Sequence, residues 1–330
     1  MVTSPRPVRG RGHASASIGP EDVAKAIAYA LGQPVEADVT EIVLRPSPSA
    51  DGPLDEGRHM SKTWFITGAS RGFGRAFATA ALERGDRVAA TARDLVTLDE
   101  LAAKYTTDLL PVRLDVTDRG AATEAVLRAQ AEFGRLDVVV NNAGYGHFGM
   151  VEELSEEELR KQLETNLFGA VWVTQAAIPI MRAQGSGHIV QVSTIGGVGA
   201  FTNLGAYHAS KWALEGISES LSLEVAAFGI KVTLIEPGGF ATDWAGASAR
   251  RSRALPEYDG VRAGAAARRS AQPPGDPDAA AEALLEIVDT DEPPLRVLFG
   301  AAAPDIVYGI YERRIAEWKQ WERLANKAQG

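Results

Sequence analysis

The order in which apolar runs and helical patterns alternate constrains the fold of this chain more than any other feature. From Lys62 onward, short β-branched runs typical of strands alternate with stretches of helical periodicity. The predicted strands are 63–67, 87–91, 109–114, 138–140, 188–192, 232–235 and 296–299. The predicted helices are 73–84, 96–104, 119–132, 155–183, 206–227 and 277–288. Repeated β-α-β order with apolar strands predicts an α/β fold: a parallel, doubly wound, seven-stranded sheet with helices on both faces.

Composition argues against several classes of protein. Acidic residues outnumber basic residues by 43 to 34, and the formal net charge of -9 disfavours a nucleic-acid partner. The sequence contains no cysteine, which removes disulfides and thiolate metal sites and favours a reducing, cytoplasmic location. No apolar run reaches about eighteen residues, so we expect no membrane span. Prolines and glycines near the N-terminus disfavour a transit peptide, and the apolar block of a secretory signal is missing.

A glycine-rich turn separates the first predicted strand from the first predicted helix. Glycines at such a position let the backbone turn sharply and approach a pyrophosphate, whose charge the helix N-terminal amides can bind. Doubly wound sheets bind ligands at this edge. The residues predicted to form a dinucleotide site there are Gly68, Ser70, Arg71, Gly72, Phe73 and Gly74.

The end of the second predicted strand indicates which dinucleotide binds. An acidic residue at this place accepts hydrogen bonds from the adenosine ribose of NAD, whereas the 2′-phosphate of NADP needs cations. Arg93 follows the strand and Arg71 lies in the glycine-rich turn, so two guanidinium groups could flank one phosphate. The sequence therefore favours NADP(H) over NAD(H), and two solvated surface arginines are the alternative.

Several further features follow the glycine-rich turn in a fixed order. They are an Asp-Val pair (Asp115, Val116), a stretch with Asn142, Ala143 and Gly144, a helical asparagine (Asn166), a Tyr-x-x-x-Lys pair (Tyr207, Lys211) and a Pro-Gly stretch followed by a threonine (Pro237, Gly238, Thr242). Over about residues 62–300, this set resembles the short-chain dehydrogenase/reductase family. The resemblance implies a Rossmann fold and a homodimer or homotetramer. It also implies cofactor contacts at Asp115, Val116, Asn142, Ala143, Gly144, Lys211, Pro237, Gly238 and Thr242.

The Tyr-x-x-x-Lys pair carries the implied chemistry. Tyr207 and Lys211 are four residues apart and share one helix face, although surface neighbours often show the same spacing. A phenol titrates near pH 10 in water, and we expect the ammonium of Lys211 to lower that pKa. Tyr207 would act as general acid or base, and Lys211 would also bind the nicotinamide ribose. By resemblance, Asn166 holds a water of the proton relay.

One position departs from the family pattern. The family usually has a serine about thirteen residues before the tyrosine, where it polarises the substrate carbonyl. In this sequence that position is Thr194, and Ser193 is one residue further away. Threonine keeps the hydroxyl, so we predict that Thr194 takes this role and keep Ser193 as the alternative.

The substrate region is less constrained by the sequence. Tyr145 and His147 follow the fourth predicted strand. Phe201 precedes the predicted helix 206–227, which carries Tyr207, and Trp244 follows Pro237-Gly238. These four residues are candidates for an apolar substrate pocket, with ordinary loop packing as the alternative. The stretch 239–276, rich in alanine, arginine, glycine and proline, is predicted to be a mobile lid.

A final helix is predicted over about 304–327. Its apolar stripe contains Val307, Tyr311, Ile315 and Trp318, with Trp321 beside it. Such a stripe has to be buried, and packing on its own domain is the default expectation. A contact between subunits is the alternative.

The first 59 residues are a separate extension of the catalytic domain 60–330. They contain one helical pattern and one short strand pattern between flexible segments, and 18–46 resemble the closing helix and strand of a second family member. Such a short piece cannot build its own core. We interpret it as a remnant of a fusion or of a neighbouring reading frame, with a regulatory or subunit-pairing arm as the alternative.

The sequence thus predicts an NADP(H)-dependent oxidoreductase that interconverts a carbonyl and a secondary alcohol. The alternative is a regulator that senses NADP(H) on the same fold without turnover. The set Asn166, Thr194, Tyr207 and Lys211 favours the enzyme, because a sensor needs neither an acid nor a relay.

Overall fold

A computed structural model describes residues 61–270 and 273–330. The helix, the strand and the flexible segments expected within 1–59 lie outside the described residues, as do positions 271 and 272 of the expected lid. The described residues form a single unit from Ser61 to Gly330.

One parallel sheet of seven strands organises the chain, as the sequence predicted. Its strands are β1 (Thr63–Ile66), β2 (Arg87–Ala92), β3 (Leu109–Arg113), β4 (Val138–Asn141), β6 (Gly187–Val192), β7 (Ile230–Pro237) and β9 (Arg296–Phe299). Two short strands, β5 (His147–Phe148) and β8 (Arg250–Arg251), pair separately beside the sheet. The sheet order is β3-β2-β1-β4-β6-β7-β9, so the strand order reverses between β1 and β4. This is the doubly wound Rossmann arrangement, whose crevice opens beyond the carboxyl ends of the strands.

The helices cover both faces of the sheet. They are α1 (Gly72–Glu83), α2 (Asp99–Lys104), α3 (Arg119–Phe133), α4 (Glu156–Leu163), α5 (Gly169–Gln184), α6 (Gly205–Val225), α7 (Asp259–Ser270), α8 (Pro277–Asp289) and α9 (Ala303–Gln329). Side-chain caps begin several of them. Asp118 accepts a hydrogen bond from the amide of Ala121, and Ser155 and Glu158 form a reciprocal capping box.

Two apolar clusters lie on opposite faces of the sheet. In one, Trp64 and Ile66 of β1 join Phe77 of α1 and Leu284 of α8. In the other, Phe65 of β1 joins side chains of α3 and α5. Successive residues of one strand therefore serve both cores, which is why the strands read as continuous apolar runs.

One helix differs from the sequence-based expectations. The single helix predicted over 155–183 is interrupted by a π-helical turn, Glu164–Phe168, between α4 and α5. The expected lid 239–276 contains β8 and α7 and is held by hydrogen bonds described below. No helix among the described residues has both the length and the apolar character to cross a membrane.

Candidate active site

A cavity of about 1960 Å³ opens at the carboxyl ends of the central strands. It is bordered by all of the predicted cofactor, catalytic and substrate residues except Gly74 and Asn166, which are not among its lining residues. The fold therefore brings together stretches that are up to 176 positions apart in the sequence, from Gly68 to Trp244.

The glycine-rich turn packs so tightly that Gly68 and Gly74 have no room for a side chain. A Cβ on Gly74 would lie 2.4 Å from the carbonyl oxygen of Gly68 and 2.4 Å from Nδ2 of Asn142. Gly68 has a φ of +67°, and a Cβ there would lie 3.0 Å from Cα of Ala143. Asn142 Nδ2 donates to the carbonyl oxygens of Thr67 and Gly68 over 2.9 and 3.1 Å. The turn is thus fixed against the end of β4.

The start of α1 leaves room for an anion. Its N-cap residue, Arg71, makes no side-chain hydrogen bond to the helix, so no side chain caps the first-turn amides from this position. Nη1 of Arg71 lies 3.0 Å from Oδ2 of Asp243, so this guanidinium is shared with a carboxylate. Arg93 borders the cavity and forms no ion pair with any described residue. Of the two predicted arginines, Arg93 is the one with a free charge.

Tyr207 lies on α6 at the cavity wall and is 7% exposed. Burial raises the pKa of its hydroxyl, while the side chains of Thr194 and Trp244 act to lower that pKa. Lys211 is not among the groups that influence it. Burial outweighs both favourable neighbours, so the net direction of this pKa is upward, and the lowering expected from Lys211 stays a prediction.

Lys211 is buried one turn further along α6. Its Nζ donates to the carbonyl oxygen of Val192 at the end of β6 over 2.7 Å. Burial lowers the pKa of Lys211 to about 8, and the charge of Glu215 opposes that shift. The ammonium is thus placed between α6 and the end of β6.

The two candidate hydroxyls have different surroundings. Thr194 Oγ1 donates to the carbonyl oxygen of Pro237 over 3.2 Å and accepts from the amide of Gly196 over 3.1 Å. It is also the hydroxyl that influences Tyr207. Ser193 is 3% exposed and lies beside Glu215, whose pKa is raised by burial against the opposing effect of the Ser193 hydroxyl. The geometry places Thr194, rather than Ser193, beside the phenol.

Asn166 lies in the π-helical turn and is buried. Its Oδ1 accepts from the amide of Tyr145 over 3.1 Å, and its Nδ2 donates to the carbonyl oxygen of Tyr145 and to Oγ of Ser210 over 3.1 and 3.2 Å. Asn166 therefore ties the loop after β4 to the catalytic helix.

The candidate substrate residues divide into two groups. Trp244 packs on Tyr207 with a ring-centroid separation of 5.0 Å, while Tyr145 and Phe201 border the cavity as expected. His147 also borders the cavity, but its Nε2 lies 2.9 Å from Oγ of Ser252, which donates to Glu158 over 3.1 Å. His147 is thus engaged in a contact between the loop after β4 and the lid. Burial lowers the pKa of His147, so it is neutral at pH 7.

A second contact that the sequence did not reveal holds the lid. Glu153 accepts from the amides of Leu255 and Met150 over 2.8 Å each and from Nη1 of Arg262. These donors lower the pKa of Glu153 to about 2. No local motif marks such a pair, because Glu153 and Arg262 come together only through the tertiary fold.

Comparison with known proteins agrees with this geometry. Residues 62–252 match the family model described as short chain dehydrogenase. Oxidoreductase BOA17 of Botryotinia fuckeliana is 43% identical over 270 residues, which cover 81% of this chain and 98% of that protein. A short-chain dehydrogenase from Streptomyces avermitilis has a similar structure, with a TM-score of 0.77, 41% identity and coverage of 81% and 99% of the two chains. An alcohol dehydrogenase from Thermococcus sibiricus, solved with 5-hydroxy-NADP, gives a TM-score of 0.61 at 27% identity and covers 73% and 96%.

Proposed function

This chain belongs to the short-chain dehydrogenase family of oxidoreductases, and from that premise we propose that it interconverts a carbonyl and a secondary alcohol with NADP(H). The observation that carries the proposal is the position of Tyr207. Its phenol borders the same cavity as the glycine-rich turn and lies beside the Thr194 hydroxyl. The proposed proton donor Tyr207 and the proposed polarising hydroxyl of Thr194 thus line the same cavity as the glycine-rich turn.

The residues present fit a nicotinamide dinucleotide. Gly68 and Gly74 carry no side chain, so the backbone of the turn is open to a pyrophosphate. The first amides of α1 have no side-chain cap from Arg71 and can bind the charge of that pyrophosphate. The residues that would hold the cofactor are Gly68, Ser70, Arg71, Gly72, Phe73, Gly74, Arg93, Asp115, Val116, Asn142, Ala143, Gly144, Lys211, Pro237, Gly238 and Thr242. When bound, the nicotinamide supplies or accepts a hydride, which no side chain of the protein can do.

Tyr207 moves the proton. Since burial raises its pKa, the hydroxyl is protonated at neutral pH and is ready to donate to a substrate oxygen in reduction. In oxidation the phenol first gives its proton to solvent, and the resulting phenolate oxygen takes the proton from the alcohol. In this proposal Thr194 turns its hydroxyl from the carbonyl oxygen of Pro237 to the substrate oxygen. Lys211 binds the nicotinamide ribose and so holds the cofactor beside the phenol.

We favour NADP(H) because Arg93 is free of ion pairs with the described residues while Arg71 is partly neutralised by Asp243. A phosphate on the adenosine ribose would give Arg93 a charged partner and could compete with Asp243 for Arg71. We also propose a homodimer or homotetramer that acts on a small carbonyl or alcohol.

Replacing Tyr207 with phenylalanine tests the function. The variant lacks only the phenolic hydroxyl, so we expect turnover of carbonyl substrates to fall about 10²- to 10⁴-fold while NADPH binding is retained. Loss of activity in Thr194→Ala but not in Ser193→Ala would support the assigned hydroxyl. The measurement is NADPH absorbance across ketones, aldehydes, steroids and sugars, with NADPH fluorescence for binding. Undiminished reduction by Tyr207→Phe would contradict the proposal, and binding without consumption would favour the sensing alternative.

A further inference from the structure

A buried cluster of charged side chains lies one helical turn beyond Lys211 and takes no part in the proposed proton transfer. Glu215 follows Lys211 by four residues on α6, so the two side chains share a helix face. Both are 5% exposed, and Glu236 of β7 is 3% exposed. Buried charges are costly unless they are paired, so this cluster requires an explanation.

A single guanidinium group connects the carboxylates. Arg296 begins β9, and its Nε donates to Oε2 of Glu215 over 3.0 Å and lies 3.5 Å from Oε1 of Glu236. Its Nη2 donates to Oε2 of Glu219 over 2.8 Å. Through Arg296, the catalytic helix is thus joined to the two strands at one edge of the sheet.

The other oxygen of Glu215 lies beneath the loop that carries Thr194. A Cβ on Gly197 would lie 2.6 Å from Oγ of Ser193 and 3.1 Å from Oε1 of Glu215. Only glycine fits above this carboxylate without displacing it. Val192, which accepts the hydrogen bond from Lys211, directly precedes Ser193. Glu215 and Lys211 therefore meet the same strand end.

The charges around Lys211 are unequal in their effect. Burial lowers its pKa to about 8, and the charge of Glu215 raises it. Burial raises the pKa of Glu215, against the Ser193 hydroxyl and the charges of Arg296 and Lys211. Burial and the charge of Glu215 raise the pKa of Glu236 to about 7, against Arg296. Of the groups that face this cluster from α6, β6, β7 and β9, only Glu215 supports the ammonium form of Lys211.

We propose that Glu215 is a positioning residue for Lys211. Its carboxylate, tied to β7 and β9 through Arg296, is the buried counter-charge that keeps the Lys211 amine an ammonium group at the end of β6. The catalytic consequence rests on the proposed function, whereas the effect of the Glu215 charge on Lys211 does not.

The test compares Glu215→Gln with Glu219→Gln. Both variants remove a carboxylate that binds Arg296, but only the first removes the charge that acts on Lys211. In protein labelled with ¹³C at the lysine ε position, the Lys211 signal is assigned with Lys211→Arg and followed through a pH titration. We expect Glu215→Gln to lower the Lys211 midpoint by about one pH unit, a tenfold loss of proton affinity, and Glu219→Gln to leave it unchanged. An unchanged midpoint in Glu215→Gln overturns the inference.

Two further measurements keep the test decisive. Glu215→Ser also removes the charge but leaves space for water in place of the carboxylate. Cooperative thermal unfolding identifies which of the two variants is folded, and the Lys211 midpoint must shift in any variant that is. In kinetic assays the alkaline limb of kcat/KM should move to lower pH in Glu215→Gln, and Glu215→Asp should restore it. The titration needs no turnover. An inactive wild type would therefore reject the proposed function without rejecting the effect of the Glu215 charge on Lys211. An active wild type with unmoved midpoints would reject the positioning role alone.

Discussion

Two glycines on different helices show how one residue type can be required at one place and replaceable at another. Gly74 in α1 faces the backbone of Gly68, where a Cβ would lie 2.4 Å from the carbonyl oxygen. Gly216 in α6 has no atom within 4 Å of its Cβ position. The first glycine serves a close approach of two backbone segments, and the second costs the helix conformational entropy without an evident packing reason.

We therefore expect Gly74→Ala to destabilise the protein by about 1–3 kcal/mol, because the added methyl forces the turn away from α1. Its affinity for NADPH should fall more than tenfold. Gly216→Ala is the matched control and should stabilise α6 by about 1 kcal/mol. Urea denaturation and NADPH fluorescence measure the two effects, and a Gly74→Ala protein with normal affinity would contradict the role given to the turn.

Arg93 provides the second residue-scale prediction. If its free guanidinium binds the 2′-phosphate, Arg93→Ala should raise KM for NADPH by tenfold or more and leave KM for NADH nearly unchanged. Arg128→Ala, an exposed arginine on α3 that does not line the cavity, serves as the control. Equal effects on both cofactors would remove the NADP(H) assignment.

At the scale of elements, the lid is held by contacts that join distant parts of the chain. Glu153 lies in the turn before α4, whereas Leu255 and Arg262 belong to the lid and α7. A carboxylate that accepts from two backbone amides and a guanidinium group fixes the path of the segment that covers Tyr207.

Glu153→Gln should loosen this segment, because the neutral amide cannot accept all of these hydrogen bonds and loses the charge opposite Arg262. We expect faster hydrogen exchange across 255–266, beginning with the amide of Leu255, and a higher KM for the carbonyl substrate. Glu157→Gln removes the carboxylate of an exposed pair with Lys161 and is the control. Unchanged hydrogen exchange at the Leu255 amide would show that the contacts of Glu153 with Leu255 and Arg262 do not hold the lid.

The elements that the sequence predicted are those with a local signal. The strands of the sheet were predictable because buried parallel strands read as apolar runs, and the glycine-rich turn follows one of them directly. The π-helical turn around Asn166, the engagement of His147 by Ser252 and the link between Glu215 and Arg296 carry no such signal. They depend on which segments meet in three dimensions, and periodicity along the chain does not contain that information.

The same limit applies to Tyr207 at the centre of the site. Spacing along α6 placed Lys211 near it, but the sign of its pKa shift depends on burial, which the sequence could not give. Likewise, the spacing before Tyr207 left both Thr194 and Ser193 as candidates for the polarising hydroxyl. The two differ in orientation at the end of β6, where Thr194 contacts Pro237 and Ser193 lies beside Glu215.

At the scale of the whole molecule, α9 is the element that its own domain leaves uncovered. Only Ala303 and Val307 are buried, and Arg314 reaches back to the carbonyl oxygen of Val198. Every residue from Ile315 to Gly330 is exposed. Packing of the apolar stripe on its own domain, the default expectation from the sequence, is therefore wrong beyond the first turns.

The exposed part of α9 carries large aromatic side chains, with Trp318 64% and Trp321 57% exposed. A projecting helix has little stability of its own in water, and contiguous apolar side chains of this size mark interaction sites. Charge favours a second copy of the chain as the partner. In an antiparallel pair centred on Trp318, Arg314 would face Glu322 and Glu317 would face Lys319 of the other helix, so opposite charges would flank the aromatic contact.

Trp318→Glu should therefore convert the assembly to a smaller species in sedimentation velocity, because it places two carboxylates at the centre of the pairing. Glu322→Arg should weaken the assembly, and the double variant Arg314→Glu with Glu322→Arg should restore it, since the pair is then reversed rather than broken. Leu127→Glu, an isolated exposed apolar residue on α3, should leave the assembly unchanged. A monomeric wild type, or an assembly indifferent to Trp318→Glu, would mean that the face binds something other than a second copy.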